Sequence, residues 1–139
     1  MNDYQYETLD PVDWKEMRAL AHRMVDDAVY MMARNVAQAH YLGKLIEAHP
    51  QLELMAPIGL DIVCFRYNPG GLDDEALNEL NRAVLIELQE RGIAAPSSTT
   101  LAGGYCLRVA IANHRSTTAD FDLLVKSVEQ LGKVIHGGA

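Results

Sequence analysis

The side chains in this sequence that could do chemistry are its lysines, histidines, cysteines and arginines. The lysines all fall on predicted helices, mostly among charged neighbours: Lys15, Lys44, Lys126 and Lys133. A lysine that forms a Schiff base needs a desolvated site that lowers its pKa, and none of these four is placed for that. No glycine-rich phosphate loop and no Gly-x-Ser-x-Gly elbow occurs in the sequence. We therefore expect no catalytic residue in this chain.

The histidines and cysteines lack the spacing of metal ligands. His22 and His40 share one predicted helix but lie too far apart to bind a single ion, and the other histidines form no pair. Cys64 and Cys106 sit inside apolar runs, a position typical of small core residues in a reduced protein. We therefore expect no metal site, and we favour a structural role over a redox role for both cysteines.

The composition indicates an ordinary globular protein. A chain of 139 residues with 49% hydrophobic and 22% charged residues has the balance of one folded domain. The net charge is −7 and the basic residues are scattered, which argues against a nucleic-acid partner. No apolar run approaches the ~20 residues that a membrane helix needs, and the polar, acidic N-terminus does not resemble a signal peptide. We expect a cytoplasmic protein that does not span a membrane.

The first element is a long predicted helix over 11–49. Asp10 can cap it, Pro11 suits its first turn, and Pro50 ends it. Its apolar residues recur at helical spacing: Trp14, Met17, Ala21, Met24, Ala28, Met31 and Met32, continued by Val36, Ala39, Leu42 and Ile46. An unbroken helix of this length would measure roughly 55 Å. Either it bends near residues 32–35, or part of it packs against something outside the domain.

The rest of the sequence alternates pairs of strands with single helices. The predicted strands cover 52–56, 60–67, 93–101 and 105–112, and the predicted helices cover 73–91 and 117–135. The apolar face of the first of these helices is Leu77, Leu80, Val84 and Leu88. Pro96 places the third strand at a sheet edge, and Thr117 with Asp120 forms a capping-box-like start for the last helix. This order predicts an α+β fold: a four-stranded, mainly antiparallel sheet with helices on one face, preceded by the long helix.

Alternation along the two strongest strands separates two faces of the predicted sheet. The face expected to meet the helices carries Val63, Phe65 and Tyr67 with Leu107, Val109 and Ile111. The opposite face carries Ile62, Cys64 and Arg66 with Cys106, Arg108 and Ala110. Small residues and two arginines suit neither a plain core nor a plain solvent face. We favour an interface formed by Cys64, Arg66, Cys106 and Arg108 over a solvated face with extended arginines.

Four stretches of the sequence carry a family resemblance: NVAQAHYLGKLIEAHPQLELMAP, LDIVCFRYNPGG, LNELNRAVLIELQERGIAAPSSTTL and LRVAIANHRSTTADFDLLVKSVEQLG. In this order they resemble the small C-terminal domain of group II pyridoxal-phosphate (PLP) decarboxylases, of the aromatic-amino-acid decarboxylase type. The resemblance begins at about Asn35 and covers nearly all of the remaining chain. It implies the ferredoxin-like small domain of fold-type I PLP enzymes.

The opening segment, LDPVDWKEMRALAHRMVDDAVYMM, resembles the extreme N-terminus of the same family. In family members that segment leads into a large cofactor-binding domain, which has no counterpart between the two matching parts here. We therefore divide the chain into an N-terminal helical segment (1–34), a small α+β domain (35–136) and a tail (137–139). The family's His-Lys pair, its acidic residue at the pyridinium nitrogen and its phosphate-binding residues also have no match. We expect no cofactor for this chain, although the complete family enzyme uses PLP.

The resemblance also assigns a role to Arg108. In LRVAI it matches the small-domain arginine with which fold-type I PLP enzymes bind the substrate carboxylate, and a guanidinium suits that bidentate contact. In a complete enzyme, the face carrying Arg108 would pack against the large domain. Strand alternation independently places Arg108 on that face.

The sequence leaves three functions open. The one we favour is a truncated decarboxylase relative, non-catalytic by itself, that forms a homo-oligomer such as a dimer through the long helix and the open sheet face. The second is a module that regulates or completes a separate PLP decarboxylase chain. The third is an enzyme that binds PLP in a new way, and the missing lysine context makes it the least favoured.

Overall fold

The computed structural model describes residues 10–138. The elements follow in the order α1 (Trp14–Glu47), β1 (Leu52–Leu54), β2 (Ile62–Tyr67), α2 (Asp74–Glu90), β3 (Ser97–Leu101), β4 (Gly104–Ala110) and α3 (Thr118–Gly137). The chain divides into two compact units, one ending at Met31 and one beginning at Met32, and the division falls within α1. No helix in residues 10–138 combines the length and the apolar composition needed to cross a membrane.

The second unit contains one four-stranded sheet with the strand order β1-β2-β4-β3. Every neighbouring pair is antiparallel, so the predicted α+β class and antiparallel sheet are confirmed. β3 lies at an edge, as Pro96 predicted. The ferredoxin-like label is not confirmed, because that motif is β-α-β-β-α-β and the described strands and helices instead run β-β-α-β-β-α after α1.

A single hydrophobic core lies between the sheet and the helices. Val63, Phe65 and Tyr67 are almost completely buried in it, with Leu107 on β4 and Ile111 just after that strand. The helices contribute apolar residues at helical spacing: Ala39, Leu42 and Ile46 from α1, Leu80, Val84 and Leu88 from α2, and Phe121, Leu124 and Val128 from α3. Alternation in the strands therefore predicted the face that meets the helices correctly.

Side chains at the helix starts explain where the helices begin. Asp73 accepts a hydrogen bond from the backbone N–H of Ala76 (2.8 Å) and caps α2, and Thr117 with Asp120 forms the predicted capping box of α3. The expected start of α1 was wrong. The Asp13 carboxylate accepts a bond from the N–H of Lys15 (2.8 Å), so the helix begins at Trp14 and not near Asp10.

Other strands and helices also begin or end at residues that differ from the predicted ones. β3 begins at Ser97 and not at residue 93, because the N–H groups of Ile93 and Ala94 donate to the carbonyl of Leu88 (3.0 and 3.3 Å) and hold the segment against the end of α2. β1 ends at Leu54, two residues earlier than predicted. Helix α3 continues through Gly137, which was assigned to the tail.

Two asparagines on α2 hold this helix against the two central strands. The Asn81 side chain is fully buried; its Oδ1 accepts from the N–H of Tyr67 (2.7 Å) and its Nδ2 donates to the carbonyl of Tyr67 (2.9 Å). One helical turn away, Asn78 accepts from the N–H of Tyr105 (2.7 Å) and donates to the carbonyl of Gly103 (3.2 Å). The pairing of β2 with β4 ends at Phe65 and Leu107. The two asparagine side chains therefore provide hydrogen-bond partners for backbone groups just beyond the last paired residues.

Replacing Asn81 should destabilise the fold more than replacing Asn78. Asn81→Ala leaves both backbone groups of Tyr67 buried without a partner, and we expect a loss of about 3 kcal/mol in the free energy of unfolding. Asn78→Ala removes bonds at a half-buried position that water can reach, so its loss should stay near about 1 kcal/mol. Urea unfolding followed by circular dichroism measures both. Equal losses would contradict the bridging role of Asn81.

A second prediction concerns the packing of α3 on Tyr67. A Cβ atom built on Gly132 would lie 2.5–2.7 Å from three carbon atoms of the Tyr67 ring, which is 1% exposed. Gly132→Ala should therefore cost about 1–3 kcal/mol through overpacking. Gly137→Ala is the matched control, because a Cβ there meets nothing within 4 Å and alanine favours the helix. The pair is compared by thermal unfolding, and a neutral Gly132→Ala would show that the ring can shift.

Candidate functional site on the open sheet face

We define the open sheet face as the side of the sheet away from the helices, carrying Cys64, Arg66, Cys106 and Arg108. Cys64 pairs with Arg108, and Phe65 pairs with Leu107 in the antiparallel β2–β4 register. Because neighbouring residues of a strand point to opposite faces, all four side chains point away from the core. The register therefore brings the predicted residues together on one side of the two central strands.

Arg66 is held by acidic residues of the same chain. Its Nε donates to Oε1 of Glu53, its direct neighbour on β1, and its Nη1 lies 3.9 Å from Oδ1 of Asp74. The other Glu53 oxygen accepts a bond from Nδ2 of Asn68 (3.1 Å). The Arg66 side chain is only 12% exposed. Its charge is thus already neutralised, and this arginine is a poor candidate for binding an outside anion.

Arg108 differs from Arg66 although both lie on the same face. It stands between Cys64 on β2 and Ser97 on β3, and its carbonyl accepts a bond from Oγ of Ser97 (3.2 Å). The structure gives its guanidinium no hydrogen bond or ion pair with any residue of 10–138. A half-buried guanidinium without an internal partner can bind a carboxylate through two parallel bonds.

The two cysteines occupy different environments. Cys106 is fully buried, and its Sγ lies 3.5 Å from the carbonyl oxygen of Thr99. Burial raises the pKa of the Cys106 thiol to about 11, and the neighbouring Cys64 adds to the rise while Arg66 opposes it. Cys64 is half-buried, and both cysteines are free. Cys106 therefore adds no exposed surface to the predicted interface, and the interface role of the set stays a prediction.

A cleft of about 630 Å³ opens beside Arg108. Its walls come from the segment before β3, the end of β4, the loop after β4 and the start of α3, and include Pro96, Ser97, Asn113, Arg115 and Phe121. Arg115 is exposed, and no described residue pairs with its guanidinium. Arg108, Arg115 and Asp120 all line the cleft beside its apolar wall, so charged residues of both signs are present there.

Helix α1 fixes the loop that forms one wall of this cleft. The Arg34 guanidinium donates to the carbonyls of His114 (2.9 Å) and Ser116, and Nε2 of Gln38 donates to the same Ser116 carbonyl (2.7 Å). Oδ1 of Asn35 and Oε1 of Gln38 are buried without a hydrogen-bond partner in the described chain. These hydrogen bonds join residues far apart in the sequence, so the spacing of residues along the chain could not predict them.

The lysines are all exposed in the structure, as are most of the histidines. Lys133 donates to Glu129, and this bond raises the pKa of Lys133 and lowers the pKa of Glu129. A Schiff-base lysine needs the opposite shift. Nε2 of His49 lies 3.4 Å from Oε2 of Glu129. No group of three His, Cys, Asp or Glu side chains within residues 10–138 has the geometry to hold a metal ion.

Comparisons with known proteins give a consistent relationship. No family model matches the chain. It is 29% identical over 125 residues to an aromatic-L-amino-acid decarboxylase from Bacillus atrophaeus, and this match covers 89% of the chain and 25% of that protein. It is 33% identical over 81 residues to tyrosine decarboxylase 4 from Petroselinum crispum, covering 55% of the chain and 16% of that protein.

A solved structure with a similar fold supports the same relationship. It is the glutamate decarboxylase domain of the diaminobutyrate-pyruvate transaminase and L-2,4-diaminobutyrate decarboxylase from Vibrio parahaemolyticus. It superposes with a TM-score of 0.67 and 33% identity, over 73% of this chain and 21% of that one. The antiparallel sheet with its helices on one face therefore defines a small α+β domain of decarboxylase type.

The chain is a relative of the aromatic-amino-acid and tyrosine decarboxylases, and the predicted resemblance is confirmed. It spans about a quarter or less of the length of these relatives. The Bacillus match, at 125 residues, is longer than the 105 residues from 35 to 139, so it includes part of the segment before Asn35. The correspondence of 1–34 to the N-terminus of the family stays a prediction.

The environment of Cys106 predicts selective alkylation. At pH 8 a thiol with a pKa of about 11 is roughly one part in a thousand thiolate, and only the thiolate reacts. Iodoacetamide should therefore modify the half-buried Cys64 of the folded chain and leave Cys106 unmodified until urea unfolds the protein. Peptide mass spectrometry of both samples gives the result. Modification of Cys106 in the folded chain at a rate close to that of Cys64 would contradict the described burial.

Proposed function

We propose that this chain is a decarboxylase-related small domain that does not catalyse decarboxylation by itself. The observation that carries this proposal is the exposure of every lysine: Lys15, Lys44, Lys126 and Lys133. An exposed lysine lacks the desolvated pocket that a Schiff-base lysine needs, so none of the four is placed as a cofactor lysine. The relatives support the decarboxylase origin of the fold, and the side chains support a non-catalytic role.

The residues of this chain do not fit PLP. That cofactor supplies an electron sink for the negative charge left when carbon dioxide departs, and the protein must hold and orient it. The hydrogen bond to Glu129 raises the pKa of Lys133, whereas a lysine that forms a Schiff base needs a lowered pKa. The sequence also contains no glycine-rich phosphate loop.

We propose that the open sheet face serves a complete decarboxylase, in which it lies against a large cofactor-binding domain. Arg108 would then bind the carboxylate of the substrate, as the resemblance implies. Two features support this role: the Arg108 guanidinium has no internal partner among the described residues, and a cleft with an apolar wall lies beside it. Arg66 would act structurally, because Glu53 already holds it.

We also propose that the chain forms a homo-oligomer and resides in the cytoplasm. Its two free cysteines suit a reducing compartment. The apolar residues exposed on α1, including Trp14, Met17 and Met24, support self-association. The alternative function is a module that regulates or completes a separate decarboxylase chain, and the unpartnered Arg108 is the observation that favours it. Co-purification with such a chain would support the alternative.

Reductive trapping tests the main proposal. The chain is mixed with PLP, reduced with borohydride and digested, and mass spectrometry locates every pyridoxyl-lysine. We expect low labelling spread over the four exposed lysines, because no site desolvates any of them. A sample unfolded in urea is the control and should show the same distribution. A single saturable adduct that forms only in the folded chain would overturn the proposal and identify a cofactor lysine.

A further inference from the structure

The turn between β3 and β4 fixes the direction in which each backbone group of β3 points. Ala102 and Gly103 form this turn, with φ angles of 48° and 85°, and Leu101 pairs with Gly104 across it. Two successive positive φ angles are typical of a two-residue type I′ hairpin loop, whose flanking residues exchange hydrogen bonds. Leu101 therefore bonds to β4, and hydrogen-bonded residues alternate with non-bonded ones from there along the ladder.

The alternation leaves four backbone groups of β3 without a partner. Ser97 and Thr99 bond to β4 as Leu101 does, so the N–H and carbonyl groups of Ser98 and Thr100 point away from β4. β3 is an edge strand, and no residue of 10–138 donates to or accepts from these four groups. Both residues are exposed. A row of open donors and acceptors of this kind can pair with another strand.

The two edges of the sheet differ in how well they are protected against such pairing. β1, the other edge, has only three residues and carries the charged Glu53. Short edge strands and charged side chains are two common protections against pairing with another chain. β3 has five residues, none of them charged and none a proline, and its two threonines favour extended backbone. In the sheet that residues 10–138 form, β3 is therefore the edge open to a further strand.

We propose that β3 pairs in antiparallel orientation with β3 of a second copy of this chain, around a two-fold axis at Thr99, so that two four-stranded sheets become one of eight strands. This inference rests on the proposed self-association and assigns it a surface outside α1. In this register Ser98 of each copy lies opposite Thr100 of the other, and each such pair exchanges two N–H···O bonds. All four open groups of each copy then have partners.

The ends of β3 favour this register over its neighbours. A shift of two residues in one direction brings Thr100 opposite Pro96, which has no N–H to donate. A shift in the other direction brings Ser98 opposite Ala102, which belongs to the turn. Each shifted register keeps one fully bonded pair of residues, whereas the register centred on Thr99 forms two.

The side chains are compatible with the pairing of two identical strands. Thr99 lies opposite its own copy on the open sheet face, because it pairs with Cys106 of β4, and Ser97 lies opposite Leu101. Threonine pairs across antiparallel strands are favourable. β3 carries no charge that could repel its own copy, although the chain has a net charge of −7. The paired sheet would present Arg108 of both copies on one continuous face.

The size of the contact indicates a reversible dimer. Five residues span roughly 17 Å, and a seam of that length buries less surface than the ~1,200 Å² at the lower limit of stable interfaces. We therefore expect association at high protein concentration and dissociation on dilution, between about 1 mM and about 10 µM.

A matched pair of variants tests the backbone contact. Ser98→Pro removes one open N–H, and an edge strand tolerates proline where its N–H faces outward. Ser98→Ala removes the side-chain hydroxyl and keeps that N–H. Sedimentation velocity over the same concentration range should show a dissociation constant at least tenfold higher for Ser98→Pro and little changed for Ser98→Ala. Thr100→Pro is a second variant with the same expectation as Ser98→Pro, and circular dichroism with urea unfolding checks the fold of each.

Amide hydrogen exchange followed by NMR locates the contact directly. The amides of Ser98 and Thr100 should exchange at least threefold more slowly at about 1 mM than at about 10 µM, because only the second copy protects them. The amides of Thr99 and Leu101 bond to β4 within one copy, so their exchange should depend much less on concentration. Equal exchange of the Ser98 and Thr100 amides at both concentrations would overturn the pairing.

Opposite charges at the two-fold axis test the register. Thr99→Lys and Thr99→Glu should each weaken association, because each variant brings two like charges face to face. An equimolar mixture should associate at least as well as the original chain, since the introduced lysine of one copy then faces the introduced glutamate of the other. A mixture that associates no better than either variant alone would overturn the axis at Thr99.

These results distinguish this inference from the proposed function. Association that Ser98→Pro and Thr100→Pro leave unchanged would overturn the pairing of β3 while self-association through another surface stood. A chain that stays monomeric at every concentration would overturn both. Neither result bears on the non-catalytic role, because reductive trapping with PLP tests that role on the lysines, and β3 contains none.

Discussion

The side-chain amide of Asn81 is the interaction on which the second unit most depends. A strand end buried beneath a helix has lost access to water, so its N–H and carbonyl groups need partners in the protein. Asn81 supplies both partners to Tyr67 with one side chain. The ring of Tyr67 in turn lies against Gly132, where any larger residue would collide with it. One buried amide therefore fixes α2 on the sheet, and the tyrosine it holds fixes α3.

The open sheet face follows from this arrangement. The helices collect on one side of the sheet, and on the other side the strands carry Cys64, Arg66, Cys106 and Arg108, with Asp74 at the start of α2 lying 3.9 Å from Arg66. On that side Glu53 neutralises Arg66, whereas Arg108 has Cys64 and Ser97 as its strand neighbours and no acidic partner within residues 10–138. Two arginines of the same face thus have different roles: one holds two strands together, and the other is available to an anion.

The relationship to decarboxylases gives these features a biological context, and the proposed non-catalytic role rests on the exposed lysines of the chain. In the proposed role the small domain would contribute a sheet face and an arginine, whereas the reaction itself needs a cofactor held by a desolvated lysine. All lysines of this chain lie in water. The proposed association with other chains rests on the apolar residues exposed on α1.

The sequence by itself determined the types of the elements, their order and the buried face of each, because helix and strand periods are local properties. It also placed Arg66 and Arg108 together on one face. Asn81 left a detectable signal, a polar residue within the stripe of Leu77, Leu80 and Val84, but not its partner. Only the tertiary structure decided that Tyr67 receives this amide and that Glu53 pairs with Arg66. Those contacts depend on how strands and helices are aligned across the fold, and no local period encodes that alignment.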